Sequence, residues 1–124
     1  MNIPEDLRYS SSHEWVRFDG AKAYIGITDY AQSNMGDVVF VELPEVGAQF
    51  KAGDEVGTIE SVKAVSPIFS PVAGTVVETN GTLEGAPEQV NTDPYASWFV
   101  ALEVADPDAA GQLLSAEAYR KICE

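Results

Sequence analysis

Most of the side-chain combinations that catalysis or metal binding requires do not occur in this sequence. The chain has one histidine, His13, and one cysteine, Cys123, so a metal site built from these two residue types is not expected. Serines at positions 10–12 precede His13, but no nucleophile-elbow pattern occurs, so we do not expect a catalytic histidine. The glycines are spread singly and no calcium-loop spacing is present, which argues against phosphate-loop and EF-hand chemistry.

Lys63 is the residue whose context points most clearly to chemistry. It is the only basic side chain between residues 52 and 119, and its neighbours are small or β-branched. Strand patterns flank it on both sides, which predicts a tight hairpin turn with the amine exposed. A modifying enzyme needs such an extended side chain on a rigid protrusion. The alternative interpretation is an ordinary surface lysine paired with Glu60.

Composition and charge narrow the class of protein. The chain has 124 residues and a formal net charge of −13, because it contains 20 acidic and 7 basic side chains. We expect one domain over residues 1–124 and a real core. The negative charge argues against nucleic acid and against an anionic membrane surface. Without a signal-peptide pattern or a membrane-spanning stretch, and with a single cysteine, a cytoplasmic location is expected.

Short alternating runs dominate the chain and predict a mainly β fold. The pattern indicates seven strands, at residues 13–18, 22–27, 37–43, 54–60, 65–69, 74–79 and 98–104. A short helix capped by Asp29 is predicted through Met35, and residues 80–96 are interpreted as a long surface loop. Asp106 and Pro107 predict the start of a C-terminal helix that Ser115 restarts or continues. Together these elements predict a small sandwich or barrel with peripheral helices.

Two turn motifs around Lys63 resemble a lipoyl-attachment signature. They are Glu60-Ser61-Val62-Lys63-Ala64 and Ser70-Pro71-x-x-Gly74, with the glycine 11 residues after the lysine. Further blocks, at residues 12–16, 26–31, 36–44 and 90–95, are similar to the glycine cleavage H-protein family. The resemblance runs from about residue 3 to residue 122, and the blocks occur in the family's order. It implies a barrel-sandwich hybrid fold of the lipoyl/biotinyl type, with short helices and a C-terminal helix.

The resemblance implies a carrier and not an enzyme. Lys63 would be amide-linked to one lipoic acid per chain by a lipoate-attaching enzyme. The arm would take the aminomethyl group of glycine from a pyridoxal-phosphate glycine decarboxylase to a tetrahydrofolate-dependent aminomethyltransferase. A flavin-dependent dihydrolipoyl dehydrogenase would then reoxidise the arm. Glu60, Ser61, Val62 and Ala64 would form the attachment turn, and a monomer is expected.

In this family the loaded arm is thought to fold into a surface cleft. The resemblance places Ser12 and Glu14 at positions suspected of lining that cleft, whereas a plain β interpretation puts Glu14 on the solvent face of a strand. Two departures affect this part of the prediction. Pro67 stands where the family has an aspartate that could contact the cargo amine, and Phe69 also differs from the family's pattern. In addition, Ala96-Ser97 replaces an acidic-glycine pair.

Three other functions remain open at this point. A biotinyl carrier would share the fold, but biotin sites resemble methionine-flanked lysine and Lys63 lies between Val62 and Ala64. An H-like protein that relays lipoyl groups in lipoate metabolism would keep the cofactor and change the role, and Pro67 gives this hypothesis some weight. The third is an unmodified interaction module in which Lys63 is ordinary surface.

Overall fold

The computed structural model of the chain describes residues 2–106 and 108–123. Within these residues, nine antiparallel strands form two sheets. The larger sheet has the order β1-β2-β3-β9-β8-β5, and its strands are β1 (Arg8–Tyr9), β2 (Glu14–Asp19), β3 (Lys22–Ile27), β9 (Val100–Val104), β8 (Gly74–Thr79) and β5 (Gln49–Phe50). The smaller sheet has the order β4-β6-β7, with β4 (Val38–Glu42), β6 (Glu55–Ser61) and β7 (Val65–Phe69). The predicted mainly β fold is confirmed, and each predicted strand lies within two residues of an observed one.

The main core is built from the apolar faces of both sheets. Alternating residues of the strands point inward, as the period of a strand requires. The larger sheet contributes Val16, Ile25, Val76, Val100 and Leu102, and the smaller sheet contributes Val41, Val56, Ile59 and Ile68. Each such burial contributes about 1.5–3 kcal/mol relative to an exposed side chain. Pro67 lies in β7, an edge strand of the smaller sheet, where a missing backbone donor is tolerated.

A second core joins the N-terminal segment to the C-terminal helix α4 (Ala116–Cys123). Its buried members are Ile3, Leu7, Tyr9, Trp15, Ala116 and Tyr119. The rings of Tyr9 and Tyr119 stack with centroids 4.7 Å apart. Trp15 lies against Gly26, where a Cβ atom would come within 2.6 Å of the indole. A glycine is therefore required beside this tryptophan, and the second core fixes the segment that leads into β2.

Helix α1 (Asp29–Met35) has the predicted bounds but a different cap. The buried side chain of Thr28, and not that of Asp29, accepts the hydrogen bond from the Ala31 N–H. Asp29 lies in the first turn, where a negative charge still suits the helix dipole. Gly36 ends the helix with φ +78°, a conformation that favours glycine.

The prediction of a long surface loop at residues 80–96 is wrong in one respect, because this segment contains two short helices. These are α2 (Thr82–Gly85) and α3 (Gln89–Thr92), and each sends one side chain, Leu83 or Val90, into the main core. A single apolar residue per turn is too sparse a pattern to indicate a helix from sequence.

The predicted C-terminal helix is shorter than expected. Pro107, at its expected start, lies outside the described residues, and the following turn at Ala109–Gln112 is a 3-10 helix. Leu114 then pairs with Tyr9 as an isolated β-bridge, which separates that turn from α4. The hydroxyl of Ser115 accepts from the Ala118 N–H, so the predicted restart at Ser115 is confirmed. No helix in the described part of the chain is long and apolar enough to cross a membrane.

Candidate functional site

The turn between β6 and β7 carries Lys63 at its tip, as predicted. The Ser61 N–H donates to the Ala64 carbonyl at 2.8 Å. The buried Ser61 hydroxyl accepts from the N–H groups of Lys63 and Ala64, both at 3.2 Å. Such local side-chain bonds favour a tight turn over a continued strand. Ser61 therefore fixes the backbone of Lys63, while Val62 and Ala64 are exposed beside it.

A second set of bonds ties this turn to the junction of α1 and β4. The Val62 N–H donates to the Asp37 carbonyl at 3.0 Å. On either side of Asp37, the Asn91 amide donates to the Gly36 carbonyl at 2.9 Å and accepts from the Val38 N–H at 2.8 Å. Asn91 thus clamps the segment on which the lysine turn rests. The sequence offered Asn91 only as part of a family block and gave no role for it.

The Lys63 side chain is exposed and lies toward this junction. A Cβ atom placed on Gly36 would be 3.4 Å from Lys63 Cε, so the bare glycine leaves room for the lysine stem. Among the described residues, Lys63 forms no ion pair, and the ion pairs present are Lys22–Glu78 and Arg120–Glu5. Glu60 lies in the ladder opposite Phe40 and Val65. The alternative interpretation of a lysine paired with Glu60 is therefore wrong.

An open cleft of about 370 Å³ adjoins Lys63. It is lined by residues from the loop before β2, one face of α1 and the lysine hairpin: Ser12, His13, Tyr30, Ala31, Asn34, Met35, Lys63, Ala64 and Ser66. The α1 residues have the spacing that places side chains on one helix face. The lining combines apolar surface with hydroxyl, amide and imidazole groups. Such a cleft is suited to an extended apolar chain with a polar end.

The structure brings Ser12 to this cleft and places Glu14 behind it. Glu14 is only 2% exposed, so the interpretation of a solvent-facing strand residue is wrong. Its Oε1 accepts from the hydroxyls of Ser10 and Ser12, and its Oε2 accepts from the Phe69 N–H at 3.4 Å. Burial raises the pKa of Glu14, and these three hydrogen bonds act in the opposite direction. Glu14 thus orients Ser12 and links β2 to β7.

His13 lies in the cleft wall, but not in a catalytic set. Its backbone has φ +74°, which is why β2 begins at Glu14. Its Nδ1 is 2.7 Å from the Tyr119 hydroxyl, which in turn lies 2.7 Å from the Thr28 hydroxyl. Burial lowers the pKa of His13 and so favours the neutral ring. No serine hydrogen-bonds the ring among the described residues, and the Ser12 hydroxyl is bonded to Glu14 instead.

Several cleft residues were missed by the sequence interpretation. Tyr30, whose ring centroid is 4.8 Å from that of His13, lines the cleft together with Asn34 and Met35. Their i, i+4, i+5 spacing on the predicted helix was the available signal, but nothing in the sequence indicated which face of α1 would meet Lys63. Within residues 2–106 and 108–123, no group of three His, Cys, Asp or Glu side chains could hold a metal ion.

The two departures from the family pattern lie in different surroundings. Pro67 is exposed on the edge strand β7, next to Ser66 of the cleft wall. Ser97 is buried, and its hydroxyl lies within hydrogen-bond distance of the carbonyls of Gln89, which begins α3, and Asp93, which follows it. The change at Ser97 is therefore accommodated as a helix-end contact, away from the cleft lining.

Comparisons with known proteins agree with this geometry. Residues 7–124 match the model of the family "Glycine cleavage H-protein". The "Glycine cleavage system H protein" of Syntrophomonas wolfei is 54% identical over 124 residues, covering 100% of this chain and 95% of that protein. The protein of the same name from Bacillus subtilis is 51% identical over 125 residues, covering 100% and 98%.

A crystal structure of a glycine cleavage system H protein from Mycobacterium marinum has a similar fold. The TM-score is 0.87 at 39% identity, and the match covers 96% of this chain and 97% of that one. This likeness confirms the predicted barrel-sandwich hybrid of the lipoyl type. The chain belongs to the glycine cleavage H-protein family, which is a family of carrier proteins and not of enzymes.

Proposed function

We propose that this chain is the lipoyl carrier of a glycine cleavage system and that Lys63 is its attachment residue. The observation that carries the proposal is the position of Lys63 at a hydrogen-bonded hairpin tip, unpaired among the described residues and beside an open cleft. An acylating enzyme can reach an amine placed in this way. The carrier acts as a single lipoyl domain over residues 1–124, as a monomer and in the cytoplasm.

The residues around Lys63 fit a lipoyl group. Ser61 holds the lysine backbone, Gly36 leaves room for the stem, and the cleft has space and polarity for a folded arm. When bound, lipoate would supply a dithiolane whose S–S bond opens, so that one sulfur takes the aminomethyl group of glycine and the other becomes a thiol; reoxidation of the resulting dithiol is thiol–disulfide chemistry. The chain then needs no cysteine of its own for this task, and Cys123 lies on α4, away from the cleft lining.

Ser12, with Glu14 behind it, is proposed to face the cargo end of the arm. The Ser12 hydroxyl lines the cleft and donates to the Glu14 carboxylate behind it. That arrangement leaves a lone-pair side of the Ser12 oxygen for a donor such as an amine, and the buried negative charge strengthens the contact. Pro67 offers no carboxylate to the same cargo, so Ser12 and Glu14 carry this role without it.

The proposed partners are four enzymes that act on the arm or on Lys63. They are a pyridoxal-phosphate glycine decarboxylase, a tetrahydrofolate-dependent aminomethyltransferase, a flavin-dependent dihydrolipoyl dehydrogenase and a lipoate-attaching enzyme. A long tethered arm raises the effective concentration of cargo at each of them. With a net charge of −13, the carrier should be steered toward basic surfaces on these enzymes.

The proposal is tested by glycine–bicarbonate exchange with fully lipoylated chain and purified glycine decarboxylase. Label should enter glycine at a rate that depends on the lipoylated carrier, and chain prepared without lipoate should give background exchange. Ser12→Ala should keep exchange and lose its loaded cargo faster by hydrolysis, whereas Ser33→Ala, on the exposed part of α1, should match the wild type.

A lipoyl relay is the second candidate function, and Pro67 is the observation that favours it. A relay would pass its lipoyl group to a second carrier and would not support exchange. Fully lipoylated chain that gives background exchange with an active decarboxylase would therefore refute the glycine cleavage role. A Lys63 that carries biotin, or no modification at all, would refute both candidates.

A further inference from the structure

Apolar side chains are exposed beside Lys63, on a part of the surface that the carrier role does not explain. Val39 and Phe40 are 50% and 48% exposed, and Val62 and Val65 are 66% and 67% exposed. Phe40 and Val65 flank Glu60 in the ladder, which places all three on the same outer face. Val62 lies close to these residues, because its N–H donates to the carbonyl of Asp37, immediately before β4. These four apolar residues are called the hairpin patch below.

The patch depends on an irregularity in β4. The register between β4 and β6 shifts between Val38 and Phe40, so Val39 is an extra residue in the strand. Val38 and Val41 are buried, and the two residues between them both face solvent. A bulge of this kind re-aims side chains, and exposing two adjacent apolar residues is unfavourable for the isolated chain. The bulge therefore suits contact with another surface.

The position of the lysine stem connects the patch to the amine. Lys63 Cε lies beside Gly36, so the side chain runs toward the segment that leads into Val39 and Phe40. An extended lysine reaches only roughly 6 Å from Cα, from bond lengths of about 1.5 Å. An enzyme that reacts with the bare amine must therefore contact the surface around the hairpin. Enzymes that act at the far end of a lipoyl arm have no such constraint.

The charge around the patch defines the kind of surface that fits it. Strands β4, β6 and β7 carry Glu42, Glu55 and Glu60 and no cation, and Asp37 is exposed next to them. Lys63 is the nearest base in the sequence and loses its charge on acylation. A complementary surface has an apolar centre ringed by Lys and Arg side chains. A second copy of this chain, also at −13, lacks that ring.

We propose that the hairpin patch is the docking surface for the enzyme that acylates Lys63, whose contact area is apolar and basic-rimmed. This proposal rests on the proposed function. In the docked complex, the Lys63 amine attacks the carbonyl carbon of a lipoyl adenylate. The C–N amide bond forms, the acyl–oxygen bond breaks, AMP leaves and the proton of the amine passes to solvent. Docking through Phe40 and its neighbours holds the amine at that carbonyl.

The test compares acylation of full-length variants by a lipoate-attaching enzyme supplied with lipoyl adenylate. Phe40→Ser should lower kcat/KM at least fivefold, which is the size of loss that marks a residue contributing to an interface. Val65→Ser should also lower kcat/KM, and it provides a second substitution on the outer face. Val46→Ser is the matched control, since Val46 is 63% exposed but lies between β4 and β5, outside the patch. It should stay within twofold of wild type.

Two further measurements separate docking from other causes. Acylation by free lipoyl adenylate without enzyme should be equal in all four proteins, because that rate reports only the amine. Enzymatic kcat/KM should fall as salt is raised from about 50 to 300 mM, since the Debye length shortens over that range.

The outcomes that overturn the proposal are distinct. Wild-type rates for both Phe40→Ser and Val65→Ser would refute the docking surface and leave the proposed function intact. A wild-type dimer in sedimentation that Phe40→Ser converts to monomer would assign the patch to a second copy. A wild-type chain that the enzyme does not acylate at Lys63 would refute the docking surface and the proposed function together.

Discussion

Replacing Asn91 by alanine should loosen the support of the lysine turn. The Asn91 side chain makes three hydrogen bonds, to the Gly36 carbonyl, the Val38 N–H and the Gln32 side chain. The Val38 N–H belongs to a buried residue, so leaving it without a partner costs about 1–3 kcal/mol. The partners of the other two bonds, Gly36 and Gln32, are less buried, so losing those bonds costs less. We therefore expect Asn91→Ala to lower the free energy of unfolding by about 2 kcal/mol.

The assay is equilibrium denaturation in urea, with hydrogen exchange at individual amides as a second readout. The N–H of Val62 bonds to Asp37, which lies between the two backbone groups that Asn91 holds, so its protection should fall in the variant. Asn80→Ala is the matched control, because its side chain makes no hydrogen bond among the described residues. If the free energy of unfolding of Asn91→Ala lies within about 0.5 kcal/mol of wild type, or is no lower than that of Asn80→Ala, Asn91 does not support the lysine turn.

Three further predictions concern buried groups near the cleft and the second core. The pKa of Glu14 is raised in the folded state, so the folded state binds the Glu14 proton more tightly than the unfolded state does. The stability of the wild type relative to Glu14→Gln should therefore fall as the pH rises from the ordinary pKa of 4.5 toward 7. Equal pH profiles of the two proteins in urea denaturation would contradict this prediction. The pKa of His13 is lowered, so its ring should titrate below 6.5 by NMR, and a midpoint above that value would contradict the burial argument. Gly26→Ala should destabilise the protein by about 1–3 kcal/mol through its clash with Trp15, whereas Gly81→Ala, with open space at its Cβ, should melt like wild type.

The strands and the lysine hairpin could be predicted because their signals are local. Alternation marks each strand, and the Ser61 hydroxyl and the small neighbours of Lys63 favour a tight turn over a continued strand. These predictions needed no knowledge of how distant segments pack.

The cleft could not be predicted to the same extent, because tertiary contacts assemble it. Glu14 alternates like a surface residue, yet the approach of Phe69 and the serines before it encloses its carboxylate. His13 takes φ +74° and meets Tyr119, which is 106 positions away in the sequence. Thr28, and not Asp29, caps the helix, and its hydroxyl also lies within reach of Tyr119. Each of these outcomes depends on which segments meet, and the sequence does not show that.

The central claim is that Lys63 carries a lipoyl group, and intact mass spectrometry tests it most directly. Protein purified from a lipoate-replete host that has a lipoate-attaching enzyme should show one lipoyl increment per chain. Lys63→Ala should abolish the increment, and Lys51→Ala, which removes another exposed lysine, should retain it. A lipoyl increment that persists in Lys63→Ala, or a wild-type chain with no increment in that host, would contradict the account.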